Sequence, residues 1–144
     1  MTVTLDAKAL GIDMHDRDAT SLFKWLVASF LMGKRIRAAA AVAAYRIIVE
    51  VEGRDTPAKL AASGHRELVR MLGRAGYARY DESTATRLVA LGKRLLDEYQ
   101  GSVAQLMEHA ADRADLERRL RVFQGIGPKT AEIFLREALP AVRP

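Results

Sequence analysis

The sequence predicts an all-α domain, and three observations carry that expectation. Apolar residues recur at three- and four-residue spacing along nearly the whole chain. No stretch shows clean period-two alternation bounded by turn residues, the signature of a half-buried strand. Glycines at 53, 64, 101 and 125, and a proline at 128, cut the pattern into helix-sized lengths. With 144 residues, 49% of them hydrophobic, the chain fits one domain with one core.

The elements follow in order. The first fifteen or so residues look loose. TSLFKWLVASFLM is apolar on more than one side through Leu22, Phe23, Leu26, Val27, Phe30 and Leu31, which marks a helix buried among others. A continuous helix is predicted from about Arg35 to Glu52, ended by Gly53; RIIVEVE resembles a strand but follows an alanine-rich run with no breaker between. Thr56–Pro57 is a cap with proline at the first helical position and opens a short helix to about Ser63. HRELVRMLGRA follows Gly64. The next helix is long, with Leu88, Leu91, Leu95 and Tyr99 on one stripe, Asp81 or Ser83 as cap and Gly101 as stop. A shorter helix spans Val103 to Ala110, an Asp-rich entry leads to the stripe Leu116, Leu120 and Phe123, and the last helix runs from about Pro128 to Ala138.

Composition excludes several functions. Cysteine is absent, which removes disulfides, thiolate catalysis and cysteine-ligated zinc or iron–sulfur clusters. His15, His65 and His109 are far apart, without helical i, i+4 pairing, so no metal site is expected from them. No apolar run is long enough to span a membrane, and the N-terminus lacks the basic start and apolar core of a signal peptide; a cytoplasmic protein is the expectation. The net charge of +5 is permissive for a polyanion partner.

The most informative segment is FQGIGPKTA, residues 123 to 131. Gly125 and Gly127 allow positive φ, so the chain can reverse within a few residues, and Pro128 suits the first position of a new helix. The backbone N–H groups of Gly127, Lys129 and Thr130 would then project from a helix start, where the dipole favours a phosphate oxygen. Ile126 can plug the gap between the helices while Lys129 stays exposed. Such a hairpin reads no bases, so binding would be indifferent to sequence and sensitive to salt. A bare GxG can equally serve as a plain αα-corner.

LERRLRVFQGIGPKTAEIFLREAL resembles the helix-hairpin-helix of the endonuclease III-like DNA glycosylase superfamily (HhH-GPD), whose hairpins read approximately L-P-G-V-G-x-K-T-A. SLFKWLVASFLMGKRIRAAAAVAAYRII resembles that family's first barrel helices, and GYARYDESTATRLVALGKRLLDEYQGSV its G-Y-x-x-x-K-A region. The likeness covers roughly Ala19 to Leu139.

The resemblance implies a six-helix barrel-type orthogonal domain over residues 19–144, behind an N-terminal extension of residues 1–18. It implies a monomer that binds double-stranded DNA, damaged or abasic, in base-excision repair, either as a glycosylase or abasic-site lyase or as a non-catalytic lesion-binding module. Gly125, Ile126, Gly127, Lys129 and Thr130 carry over as contacts, with a monovalent cation at the hairpin carbonyls. Lys129 falls where bifunctional members carry the nucleophilic lysine, although a phosphate-facing lysine reads the same.

The sequence departs from the family in three places. No acidic residue follows Glu137 to supply the catalytic aspartate; Glu137 and Glu132 both belong on the helix. No cysteine cluster exists, so no iron–sulfur cofactor is expected. Where many members carry a glutamine that fills the gap left by a flipped base, this chain has Gly33, Lys34 and Arg35, which either contact DNA or are solvated charges. Arg113, Arg118, Arg119 and Arg121 lie near the hairpin but cannot all share one face. Tyr77 and Tyr80 either stack on a nucleotide or pack.

Overall fold

The structure is a computed structural model and describes residues 6–14 and 19–142. Among them are eight α-helices and no strand: α1 (Ala19–Met32), α2 (Ala38–Tyr45), α3 (Pro57–Ala61), α4 (His65–Ala75), α5 (Asp81–Tyr99), α6 (Val103–His109), α7 (Arg113–Arg121) and α8 (Pro128–Val142). The all-α expectation holds. The six-helix barrel implied by the family resemblance does not: the helices number eight and close no barrel. Capping chemistry supplies two short helices. Thr56 Oγ1 accepts from Lys59 N at 3.2 Å and starts α3, and Ser102 Oγ accepts from Gln105 N at 3.1 Å and starts α6.

α1 is the centre of the core. It packs against α2, α6 and α8, which explains a sequence apolar all round: Trp25, Leu26, Val27, Phe30 and Leu31 are sealed from solvent. Ser29, equally buried, satisfies its hydroxyl by donating to Trp25 O at 2.7 Å. Trp25 Nε1 donates to Phe134 O at 3.1 Å and ties α1 to α8.

α5 is the second axis, packed against α3, α4 and α6. Gly92 makes this possible: a Cβ there would lie 2.8 Å from Pro57 O and 2.9 Å from Ala61 N, so α3 rests backbone to backbone on α5. α2 joins the two groups by touching both α1 and α4, and its alanines allow the approach, with Ala41 and Ala44 buried.

Several boundaries differ from the sequence expectation. The second helix begins at Ala38, because Ile36 N bonds Lys34 O in a tight turn and Arg37 is extended (ψ 141°). From Arg46 to Val51 it widens into a π-helix, with Glu52 N donating to Ile47 O, before Gly53 (φ 71°) turns the chain. Neither Asp81 nor Ser83 caps α5, whose preceding residue is Tyr80. Gln100 (φ 52°) and Gly101 (φ 75°) both take left-handed conformations at its end. α8 continues through Pro140 to Val142.

Residues 6–14 are not loose. Ala7, Leu10 and Ile12 join the core, and Ala7 N donates to Glu137 Oε2 at 2.8 Å, anchoring this segment on α8. No helix of the described residues is long and apolar enough to cross a membrane.

Candidate nucleic-acid interface

The hairpin between α7 and α8 is built from its two anchors outward. Asp112 Oδ1 accepts from Asp115 N at 2.8 Å, and Asp115 Oδ2 accepts from Ala111 N at 2.9 Å, a reciprocal cap that starts α7. The Ala111 N–H, then the guanidinium groups of Arg119 and Arg118, hold the Asp115 carboxyl down to about 2. These pairs, both at 3.1 Å, tether two of the four arginines on α7 to one carboxylate. Arg113 and Arg121 are exposed.

After α7 the chain turns on buried Phe123 and Ile126, with Ile126 N donating to Phe123 O at 3.1 Å. Ile126 is 5% exposed and belongs to the core. Gly125 has φ 93°, and a Cβ there would stand 2.7 Å from Phe30 Cε2 and 3.0 Å from Arg87 Cδ, so this position needs glycine twice over. Gly127 differs from expectation: its φ is not positive, and a Cβ there would meet nothing within 4 Å.

The first rung of α8 is Ala131 N to Gly127 O at 3.0 Å, so the N–H groups of Gly127, Lys129 and Thr130 have no partner within the helix. Lys129 is exposed beside them. Thr130 contributes its N–H only. Its side chain is 2% exposed and turned inward onto Gly33, where a Cβ would come within 1.9 Å of Thr130 Oγ1.

Two cations from elsewhere in the chain hold the turn. Arg94, ion-paired with Glu98, donates to Val122 O at 3.4 Å and lies over the Phe123 ring at 5.6 Å. Lys34 Nζ donates to Gly125 O at 2.6 Å and sits 4.6 Å from the centre of the Phe30 ring. Burial, then the neighbouring Arg87 guanidinium, lowers the Lys34 pKa, against the carbonyl that favours its charge.

Beside the hairpin lies a cavity of about 240 Å³ whose lining includes Lys34, Arg35, Tyr77, Tyr80, Thr84 and Arg87. Arg35 is exposed here. The two tyrosines divide: Tyr77 is 1% exposed and donates to Leu31 O at 3.4 Å as a packing residue, whereas Tyr80 is 52% exposed. Arg87 and Arg94 escaped the sequence reading. Seven residues apart on α5, they sit half-buried on one flank of its buried stripe, but nothing local says that the hairpin lies across from them.

The remaining candidates are dispersed. His65 faces Glu82 O at 3.2 Å and His109 lies against the Tyr99 ring, while His15 falls outside the described residues. No group of three or more His, Cys, Asp or Glu among the described residues could hold a metal ion. Glu137 is tied to the Ala7 amide, and Glu132 is exposed on the first turns of α8.

No protein-family model matches the sequence, and no curated protein matches it. Among solved structures, the chain is similar to the 3-methyladenine DNA glycosylase (MagIII) of H. pylori bound to 1,N6-ethenoadenine, with a TM-score of 0.64 and 20% identity. The match covers 94% of this chain and 66% of that one, just under two thirds of its length. What is shared is therefore the fold: over nearly all its length the chain is folded like that DNA glycosylase.

Proposed function

We propose that the chain binds duplex DNA through the α7–α8 hairpin, independently of sequence, in a base-excision-repair role. The observation that carries this reading is the start of α8, where the N–H groups of Gly127, Lys129 and Thr130 lack helical partners beside the exposed Lys129. Gly127 leaves open space for a phosphate to approach. Arg35 and Tyr80 flank the same side through the neighbouring cavity, where Tyr80 can stack on a nucleotide and Arg35 can meet a phosphate. The fold shared with a DNA glycosylase supports the reading. The protein would act as a monomer in the cytoplasm, at the nucleoid in a bacterium.

The test is binding to duplexes of unrelated sequence, with and without an abasic site, across a range of salt. Two or three phosphate contacts give a log–log slope of about −2 to −3, at roughly −0.9 per phosphate, with similar affinity across sequences. Binding unaffected by salt would leave a protein-binding scaffold instead.

A second reading makes Lys129 an abasic-site lyase nucleophile, favoured by its exposure at the same helix start. Its amine would add to the C1′ aldehyde of the open-chain sugar and expel water to form an imine. Borohydride would trap that imine as a covalent adduct, and Lys129→Ala would abolish it. Full glycosylase chemistry is disfavoured, since Glu132 and Glu137 both lie within α8 and one oxygen of Glu137 is engaged by the Ala7 amide.

A further inference from the structure

Resting on the reading that the hairpin grips DNA, we infer that Lys34 is its built-in cation: the ammonium occupies the place an exchangeable monovalent ion would take at the Gly125 carbonyl. The backbone sets up the need. With φ at 93°, Gly125 is rotated out of both helices, and its carbonyl accepts from no backbone donor in the turn, whose bonds run from Ile126 N to Phe123 O and from Ala131 N to Gly127 O. A carbonyl so placed needs a cation or a donor. Lys34 Nζ supplies both at 2.6 Å.

The ammonium is held between the Gly125 carbonyl and an aromatic ring. Phe30 lies beneath it at 4.6 Å, and the same ring packs against Gly125, so the aromatic face sets the height of both the cation and the turn. The backbone just before it is fixed by Gly33, which sits against Thr130 with no room for a Cβ. Lys34 thereby reaches the hairpin from a residue already locked to the first turn of α8.

These residues do not suit an added sodium or potassium ion. The Gly125 carbonyl is already taken by a fixed charge, and Arg87 beside it repels a second cation. Lys34 has no carboxylate partner among the described ion pairs, so its charge remains uncompensated behind the helix start and adds to the field that draws a phosphate.

The experiment compares duplex binding in potassium chloride, sodium chloride and N-methylglucamine chloride at equal ionic strength. The native protein is expected to bind alike in all three, within about twofold. Lys34→Met, which keeps the length of the chain but not the charge, is expected to lose about tenfold in the organic cation. It should regain much of that loss in potassium or sodium.

A DNA-free arm follows thermal unfolding in the same salts, where the native transition should ignore cation identity and that of Lys34→Met should rise with the small ions. Cation-dependent binding or unfolding of the native protein overturns the inference, as does a Lys34→Met variant that behaves like the native one in all three salts. Absence of DNA binding by the native protein in every salt overturns the DNA reading alone, and the unfolding arm still decides on Lys34.

Discussion

Gly33 and Thr130, 97 positions apart in sequence, touch with no space for one more carbon: a Cβ on Gly33 would fall 1.9 Å from Thr130 Oγ1 and 2.9 Å from Thr130 Cβ. The end of α1 and the start of α8 are thus joined at the point where the candidate phosphate cradle begins. Gly33→Ala forces a buried threonine aside and is expected to cost about 1–3 kcal/mol. The fall in Tm would be about 3 °C for each kcal/mol. Thr130→Ala in the same chain should restore part of the loss. Additive losses in a calorimetric double-mutant cycle would show that the two residues are not coupled.

Gly92 faces a stricter limit, because its neighbours are the backbone atoms Pro57 O and Ala61 N, which no rotamer change can move. Gly92→Ala should displace α3 from α5 and cost more than Gly33→Ala, about 3 kcal/mol. Chemical denaturation ranks the two variants, and the reverse order would contradict the packing described.

The two hairpin glycines are expected to part company. Gly125→Ala meets a left-handed φ and the Phe30 ring, for a loss of about 2–4 kcal/mol. Gly127→Ala meets open space at an ordinary φ, and its stability should change by no more than about 0.5 kcal/mol. DNA affinity should nevertheless fall in Gly127→Ala, since its methyl group narrows the approach to the free N–H groups. Native affinity in that variant would place the phosphate elsewhere.

Lys129→Ala should fold as the native chain does, the residue being exposed. Its binding should weaken several-fold on every duplex, and the salt slope should become shallower by about 0.9. An unchanged slope would mean that Lys129 neutralises no phosphate.

Alkaline pH should destabilise the fold through Tyr45 and Tyr77. Burial raises both phenol pKa values, with a further rise from Glu50 at Tyr45. Above about pH 10 the unfolded chain gives up these protons first, so stability falls as pH rises, by at most about 1.4 kcal/mol per pH unit for each tyrosine. Lys34 acts in the opposite sense: its lowered value makes the folded state shed its proton first, and stability gains as pH rises towards the ordinary lysine range. Comparing Tm against pH for native protein and Tyr45→Phe isolates one phenol. Parallel curves would remove Tyr45 from this account.

The elements that the sequence revealed are those decided within a few residues. Thr56–Pro57 and Gly125 announce a helix start and a turn through their own side chains and dihedral limits, and both appear where expected, although Gly127 takes no positive φ. The six helices and barrel implied by the family resemblance are not found: the described residues form eight helices and no barrel. What stayed hidden is decided across the fold. Lys34 reads as a surface cation, yet its partner Gly125 O is 91 residues away. Thr130 reads as a contact to phosphate, yet its side chain is buried against Gly33, and only knowledge that α1 meets α8 reveals this. Gly92 gives no local sign that another backbone lies over it.

Trp25 is the sole tryptophan of the chain, fully buried, and its indole N–H is bound to Phe134 O on α8. Its emission is therefore an optical gauge of the α1–α8 seam. A shift to longer wavelength would report water entering that seam, and it would do so with no added dye, at the joint on which the hairpin is mounted.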